Sequence, residues 1–268
     1  MKIFIASLCL LAFCFSVPAQ TKVVPILEMN VRGLMGGVEN GKFIDAKTTF
    51  AKLKGDENYT LYGIEGVNEG ETKYTVTAPS ENEPCDEFYY FEMEDEAVTG
   101  VALGDGYRWN PMPRTPKPID LNGAAYKKIV AAVLATKKIT KTTIKLTQAV
   151  RIDLEGDGKE EVLIAATFWS GGNLSPGAKR GDYSFVMIRR IVGKTVQNTV
   201  LDGEFMAKSV DFSAPSEYKI SAIADLNGDG KMEIIMHSAY YEGSSSWVYE
   251  MKAGKATEVK ALSVGCGV

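Results

Sequence analysis

Short apolar segments flank two acidic, glycine-containing stretches in the second half of the chain. Residues 144–152 and 162–166 enclose the first stretch, and residues 220–224 and 234–236 enclose the second. Apolar runs of this length, bounded by turn-forming residues, are typical of buried β-strands. The pattern therefore predicts a strand, an acidic loop and a second strand, and this unit occurs twice along the chain.

A helical periodicity precedes the first of these units. Apolar side chains recur at helical spacing within residues 123–137 and form one stripe; they are Tyr126, Ile129, Val130, Val133 and Leu134. Asp120 is the predicted N-cap, because a carboxylate there can accept a hydrogen bond from an amide of the first turn. The sequence predicts one packed helix ahead of the strands.

The N-terminal region is also predicted to be rich in β-strands. Residues 59–62 and 72–77 have strand-like composition, and the prolines within residues 109–118 disfavour both a helix and a central strand, which predicts a linker. We expect a mainly β fold of the α+β type with two domains. A small N-terminal domain spans residues 20–115, and residues 116–268 carry the helix and both acidic loops.

The second acidic stretch, residues 225–233, has the donors that a hard divalent cation prefers. Oxygen-bearing side chains occupy positions 1, 3 and 5, a backbone carbonyl is available at position 7, and a glutamate occupies position 9. Ca2+ takes about six to eight oxygen ligands, and the glycines at positions 4 and 6 allow a sharp turn around an ion. The predicted calcium ligands are Asp225, Asn227, Asp229, the Lys231 carbonyl and Glu233.

The first acidic stretch begins at residue 153, which is 72 residues before Asp225. Its predicted ligands are Asp153, Glu155, Asp157, the Lys159 carbonyl and Glu161. Glu155 replaces the asparagine at position 3, and its longer side chain makes this the weaker predicted site. The alternative for both stretches is a tight polar turn between two strands that holds no metal.

The pattern D-x-[DN]-G-D-G-x-x-E between strands resembles the calcium loops of FG-GAP/VCBS repeats, and the resemblance covers about residues 142–255. It implies a β-rich fold, calcium in the loops, and a role in binding or adhesion more often than in catalysis. The chain lacks a clear Phe-Gly…Gly-Ala-Pro element, and two copies are fewer than the four or more blades typical of a propeller. Short stretches such as Gly265-Cys266-Gly267 are also similar to a group of uncharacterised secreted bacterial proteins.

The N-terminus predicts export. Lys2, the apolar residues 3–15 and the small residues before position 20 have the form of a signal peptide, residues 1–19, cleaved after Ala19. The mature chain is then secreted, either periplasmic or extracellular, and no segment is predicted to span a membrane. Two cysteines remain, Cys85 and Cys266, and an oxidising compartment favours a disulfide between them. An intermolecular bridge or two free thiols is the alternative.

Composition and motifs exclude several functions. A net charge of −4 and a pI near 5.3 give no electrostatic footprint for nucleic acid. The only histidine is His237, placed just after a predicted strand with serines nearby, and no Gly-x-Ser-x-Gly elbow is present. Catalysis is therefore disfavoured. A glycan hydrolase that uses two carboxylates, with calcium in its scaffold, is the alternative.

We therefore expect a secreted, calcium-stabilised binding or adhesion module without catalytic activity. Residues 169–183 and 240–247 are predicted loops rich in glycine, serine and aromatic residues, a composition that suits recognition of a glycan or a protein surface. The first loop contains Arg180-Gly181-Asp182, the tripeptide that integrins recognise on exposed loops, although three residues carry little information.

Overall fold

The computed structural model describes residues 22–80, 85, 87–93, 98–171 and 177–267. The predicted signal peptide, residues 1–19, lies outside this range. The described chain is mainly antiparallel β-sheet with two helices, which confirms the predicted β-rich class.

The first sheet is built from the N-terminal region and has the strand order β3-β2-β1-β6-β4-β5. Its strands are β1 (Val24–Glu28), β2 (Gly33–Glu39), β3 (Lys42–Ile44), β4 (Asn58–Gly63), β5 (Gly66–Lys73) and β6 (Val101–Gly104). Helix α1 (Ala46–Phe50) follows β3 and contacts β2. The predicted strand at residues 59–62 lies inside β4, whereas the one at residues 72–77 overlaps only the end of β5.

The second and third sheets each contain a meander of four consecutive antiparallel strands. The second has the order β11-β10-β9-β8-β7, and the third has the order β12-β13-β14-β15. The strands of the second sheet are β7 (Lys117–Pro118), β8 (Leu146–Ile152), β9 (Glu161–Phe168), β10 (Tyr183–Val192) and β11 (Thr195–Phe205). Those of the third are β12 (Glu217–Ala224), β13 (Glu233–Tyr240), β14 (Gly243–Lys252) and β15 (Lys255–Gly267).

The third sheet lies between the other two, because its two faces enter different hydrophobic cores. Ala222 and Ile235 pack with first-sheet residues such as Ile26. Ile223 and Ile234 point the other way and pack against the second sheet. This alternation is the period of two that a strand imposes on its side chains. The core formed with the first sheet combines residues from the ranges 20–115 and 116–268, so these two parts of the chain pack directly on each other.

Helix α2 (Ala124–Thr136) covers the outer face of the second sheet. Val130, Val133 and Leu134 are its buried residues, as the stripe predicted. The predicted N-cap is wrong, since Gly123 occupies that position and the Asp120 carboxylate accepts from the backbone N–H of Asn122 instead. Asp120 therefore stabilises the turn that leads into the helix.

Cys85 and Cys266 form a disulfide, with their Cα atoms 5.6 Å apart. The predicted pairing is confirmed, and it fixes the end of β15 to the segment that follows β5. Within the described ranges, no helix is long and apolar enough to cross a membrane.

Candidate metal loops

Both acidic stretches lie where the sequence predicted them, each between two consecutive strands of its own meander. The first connects β8 to β9, and the second connects β12 to β13. The leucine at position 2 of each loop, Leu154 or Leu226, is fully buried. Leu226 enters the core with the first sheet, and Leu154 enters the core between the second and third sheets. Each loop is thus anchored at its start by one apolar side chain.

The carboxylate of Asp225 organises the second loop. One of its oxygens accepts from the Gly228 amide at 2.7 Å, and the other accepts from the Gly230 amide at 2.9 Å. Both glycines have positive φ, 78° and 82°, which favours glycine over other residues. The loop therefore curls around its first side chain, as a short ion-binding loop must.

The remaining polar side chains of the second loop also face backbone amides. Asn227 Oδ1 accepts from the Asp229 amide at 2.9 Å, and Asp229 Oδ1 accepts from the Lys231 amide at 2.8 Å. Glu233 Oε2 accepts from the Leu226 amide at 2.7 Å. Position 9 is thereby connected back to position 2, which closes the loop into a compact unit.

The first loop repeats this arrangement bond for bond at three positions. Asp153 accepts from the Gly156 amide at 2.7 Å and from the Gly158 amide at 2.9 Å. Glu161 Oε2 accepts from the Leu154 amide at 3.0 Å. Asp157, like Asp229, accepts a hydrogen bond from the amide two residues further on. Its other carboxylate oxygen pairs with the ammonium group of the same residue, Lys159 Nζ, at 2.6 Å.

Electrostatics distinguish the two loops. Glu233 is 1% exposed, and burial raises its pKa well above the usual range, with the nearby Asp225 and Asp229 carboxylates adding to the effect. Burial also raises the pKa of Asp225 and of Glu161. By contrast, the hydrogen bond from Lys159 lowers the pKa of Asp157. In the second loop, burial therefore disfavours the charged forms of Asp225 and Glu233, and a bound cation would favour those charged forms.

The residues present suit calcium in donor chemistry and in loop shape. All side-chain donors are oxygens, two glycines per loop have positive φ, and the carboxylates at positions 1 and 9 of the second loop are buried. Among the described residues, however, no group of three or more histidine, cysteine or acidic side chains lies in an arrangement that holds a metal ion. Loop amides instead donate hydrogen bonds to seven of the predicted side-chain ligands, namely Asp153, Asp157, Glu161, Asp225, Asn227, Asp229 and Glu233. Glu155 is half-buried at position 3 of the first loop.

The proline-rich segment, residues 109–118, packs against the second loop. Trp109 Nε1 donates to the Asp225 carbonyl at 2.8 Å, and the Asp225 amide donates to the Pro111 carbonyl at 2.8 Å. A Cβ atom at Gly228 would lie 2.8 Å from a Trp109 ring atom. In the sequence, Trp109 is the only tryptophan within the proline-rich segment, but the residues around it did not indicate that its partner is the second loop.

The first predicted recognition loop, residues 169–183, is described at 169–171 and 177–183. Asp182 is 3% exposed, and its carboxylate accepts from the amides of Ser170 and Lys179, both at 2.9 Å. The Arg180-Gly181-Asp182 tripeptide therefore does not display the carboxylate that integrin recognition needs. Ala178 and Val210 exchange two backbone hydrogen bonds of 2.8 Å, which joins this loop to the segment after β11.

The second predicted recognition loop, residues 240–247, is not a loop. β13 continues to Tyr240 and β14 begins at Gly243, so only a two-residue turn separates them. His237 lies inside β13, not after it, and its Nδ1 atom is 3.0 Å from the Ser246 hydroxyl. Both residues are buried between the first and third sheets, so this pair does not face solvent.

An apolar surface is present beside the first recognition loop. Phe212 is 93% exposed and Val210 is 42% exposed. Val210 lines a cleft of about 360 Å³ together with Trp169, Lys179 and Asp211, and Phe212 follows Asp211 in the chain. A cleft lined by the aromatic ring of Trp169 and by charged side chains is suited to a ligand with both apolar and hydroxyl-bearing faces.

Comparisons with protein-family models, curated proteins and solved structures found nothing that matches this chain. The resemblance to FG-GAP/VCBS repeats accordingly rests on the two nine-residue loops and on the strands around them.

Proposed function

We propose that this protein is a secreted binding module, without catalytic activity, whose two FG-GAP/VCBS-like loops are stabilised by calcium. The observation that carries the proposal is the shared construction of the two loops. The two loops begin 72 residues apart. In each, the carboxylate at position 1 accepts hydrogen bonds from two loop amides, and the carboxylate at position 9 accepts one from the amide at position 2. A duplicated loop of oxygen donors is most simply explained by a duplicated ligand.

Calcium would be held by the residues that the sequence designates in each loop. It would supply positive charge to a loop in which Asp225 and Glu233 are buried together. Because both loops connect adjacent strands of a sheet, the stabilisation would extend to the meanders themselves. The disulfide between Cys85 and Cys266 supports an oxidising, exported location, since such bonds are rare in reducing compartments.

The proposed partner is a glycan or a protein surface, bound at the cleft that Trp169 and Val210 line. Backbone hydrogen bonds hold the cleft's two walls, residues 177–183 and 206–213, in a fixed relation. Pre-ordered walls lower the entropy cost of binding. Trp169 and Val210 then contribute apolar contacts to the partner, and Lys179 and Asp211 contribute polar ones.

Thermal unfolding with calcium and with chelator tests the metal. A site filled at a hundred times its Kd should add about 2.7 kcal/mol of stability. We expect calcium to stabilise the wild type, and we expect Asp229→Ala to lose the second loop's part of that gain. Asp56→Ala, which removes an exposed carboxylate outside both loops, is the matched control and should respond like wild type. Equal melting of wild type and Asp229→Ala in both buffers would refute calcium binding by the second loop, and equal melting of wild type with calcium and with chelator would refute it for both loops.

The alternative function, a glycan hydrolase with calcium in its scaffold, has one supporting observation. Asp202 and Glu204 lie on β11, outside the loops, and burial raises the pKa of Glu204, with the Asp202 carboxylate contributing. A carboxyl group with a raised pKa beside a second carboxylate is the arrangement that general-acid chemistry uses. Release of reducing sugar by wild type but not by Glu204→Gln would favour this alternative over the binding module.

A further inference from the structure

Arg114 lies between the two loops and bonds to both of them. Its guanidinium donates to the carbonyl of Asp153, and also to the Leu154 carbonyl at 3.2 Å, both in the first loop. It donates to the Gly230 carbonyl of the second loop at 2.7 Å. A guanidinium group is planar and carries five N–H donors in fixed directions, so it fixes the relative positions of the carbonyls that it contacts.

A backbone hydrogen bond joins the loops directly at the same place. The Met232 amide donates to the Leu154 carbonyl at 2.9 Å. The Leu154 carbonyl therefore accepts from both the other loop and Arg114, and both Leu154 and Met232 are fully buried. Close packing completes the junction, because a Cβ atom at Gly156 would lie 3.0 Å from Arg114 Nη1 and 3.7 Å from the Gly230 carbonyl oxygen.

The atoms held by Arg114 are next to the predicted ligands. Asp153 is position 1 of the first loop, and Gly230 separates the position-5 and position-7 ligands of the second. When one loop becomes ordered, its carbonyls hold the Arg114 guanidinium in one orientation. The guanidinium then offers its N–H groups to the carbonyls of the other loop in fixed directions. Two sites that share one ordering cost are coupled even without a large structural change.

We propose that Arg114 couples the two loops, so that calcium bound in one raises the calcium affinity of the other. This inference rests on the proposed calcium function and adds a regulatory property to it: the pair responds to calcium more steeply than two independent loops. Such coupling is reciprocal, and a change of about fivefold or more in affinity is typical of measured couplings. Arg114 acts here as a positioning residue and contacts no ion.

Calcium titration by calorimetry on the full chain tests the coupling. Glu233→Gln disables the second loop while retaining an acceptor for the Leu226 amide, and Glu161→Gln does the same for the first. In the wild-type background, we expect either substitution to weaken calcium binding at the remaining loop by about fivefold or more. In the Arg114→Met background, which retains the apolar stem of the side chain, we expect the same substitution to change the remaining affinity less than twofold.

Two further variants keep the result interpretable. Arg108→Met removes an exposed arginine from the same segment and should leave the coupling unchanged. Arg114→Lys retains the charge but not the planar fork of donors, so it should also reduce the coupling. It replaces Arg114→Met in the test if a melt with chelator shows that Arg114→Met is unstable.

The outcomes separate this inference from the proposed function. Two loops that bind calcium with affinities independent of each other would overturn the coupling and leave the calcium module intact. Coupling that persists in Arg114→Met and Arg114→Lys would overturn the role of Arg114. Absence of calcium binding in wild type at millimolar calcium would overturn the proposed function itself, and the coupling with it.

Discussion

A buried glutamate and a half-buried lysine connect the first and third sheets. Glu28, at the end of β1, is fully buried, and one of its oxygens accepts from the Ser221 hydroxyl at 2.5 Å and from the Asn30 side chain at 2.6 Å. Lys219 Nζ donates to Asn30 Oδ1 at 2.7 Å. Burial raises the pKa of Glu28 and lowers that of Lys219. Since a buried polar group without a partner is costly, this network fixes how the two sheets pack.

His237 belongs to the same layer, opposite Lys219 on the neighbouring strand. Burial, with a smaller contribution from the Lys219 charge, lowers the pKa of His237 to about 3. Because its folded pKa is below the unfolded value of about 6.5, the neutral imidazole favours the folded state at neutral pH. This contribution is complete above about pH 6.5 and is lost as pH falls towards the folded pKa.

The first prediction concerns that pH dependence. Between pH 7 and pH 4.5, we expect His237 to account for a loss of about 2 kcal/mol in unfolding free energy, and His237→Gln to lack this part of the loss. Chemical denaturation at several pH values measures it. Ser246→Ala, which removes the hydroxyl partner but retains the imidazole, is the control and should keep the wild-type slope. Parallel pH profiles for wild type and His237→Gln would contradict the assignment.

At this scale, the sequence was informative about local contacts and silent about distant ones. The two loops could be predicted because the pattern of each lies within nine consecutive residues, whereas the bonds from the loop side chains to amides two to seven residues away were not predicted. Ser221 and Glu28 are 193 residues apart, and Arg114 and Gly230 are 116 residues apart. No periodicity or spacing rule relates such pairs, so the interlayer network and the loop junction became visible only in the structure.

At the scale of elements, the apolar runs around the acidic loops predicted their strands correctly. The serines at the start of β14, by contrast, led to the wrong prediction of a loop at residues 240–247. Gly243-Ser244-Ser245-Ser246 has a turn-like composition, yet it forms the start of a strand. β14 lies between β13 and β15, and both neighbours pair with its backbone. The Ser238 and Ser245 hydroxyls also bond across the strands at 3.1 Å. Strand propensity depends on these neighbours, which explains why composition misled the prediction of a loop.

The second prediction concerns helix α2. Leu134 is fully buried in the core beneath the helix, so Leu134→Ala removes apolar contacts and leaves a cavity. We expect a loss of about 2–5 kcal/mol in unfolding free energy, measured by chemical denaturation. Lys128→Ala changes an exposed position on the same helix and should have an effect within about 0.5 kcal/mol. Similar losses for both variants would show that the stripe does not anchor the helix.

At the scale of the molecule, the third sheet holds the fold together, because both of its faces are covered by other sheets. Its last strand, β15, extends this role to the N-terminal region through Leu262 and Val264, which pack in the first core. Cys266 follows on the same face of the strand by the period of two, and it bonds covalently to Cys85. The chain's C-terminal strand is thus attached to the first sheet by packing and by a covalent bond.

The third prediction concerns this covalent bond. The disulfide closes a loop with a sequence separation of 181 residues. In the chain-entropy account, a loop of this length restricts the unfolded state by about 5 kcal/mol. We expect the double variant Cys85→Ala/Cys266→Ala to unfold at a lower guanidinium concentration, with a loss of about 2–5 kcal/mol. Wild type under reducing conditions should behave like the double variant, because both lack the same constraint. An unchanged midpoint in the double variant would mean that packing of Leu262 and Val264 alone fixes β15. Destabilisation of the double variant without any effect of reductant on wild type would instead assign the loss to the substituted side chains.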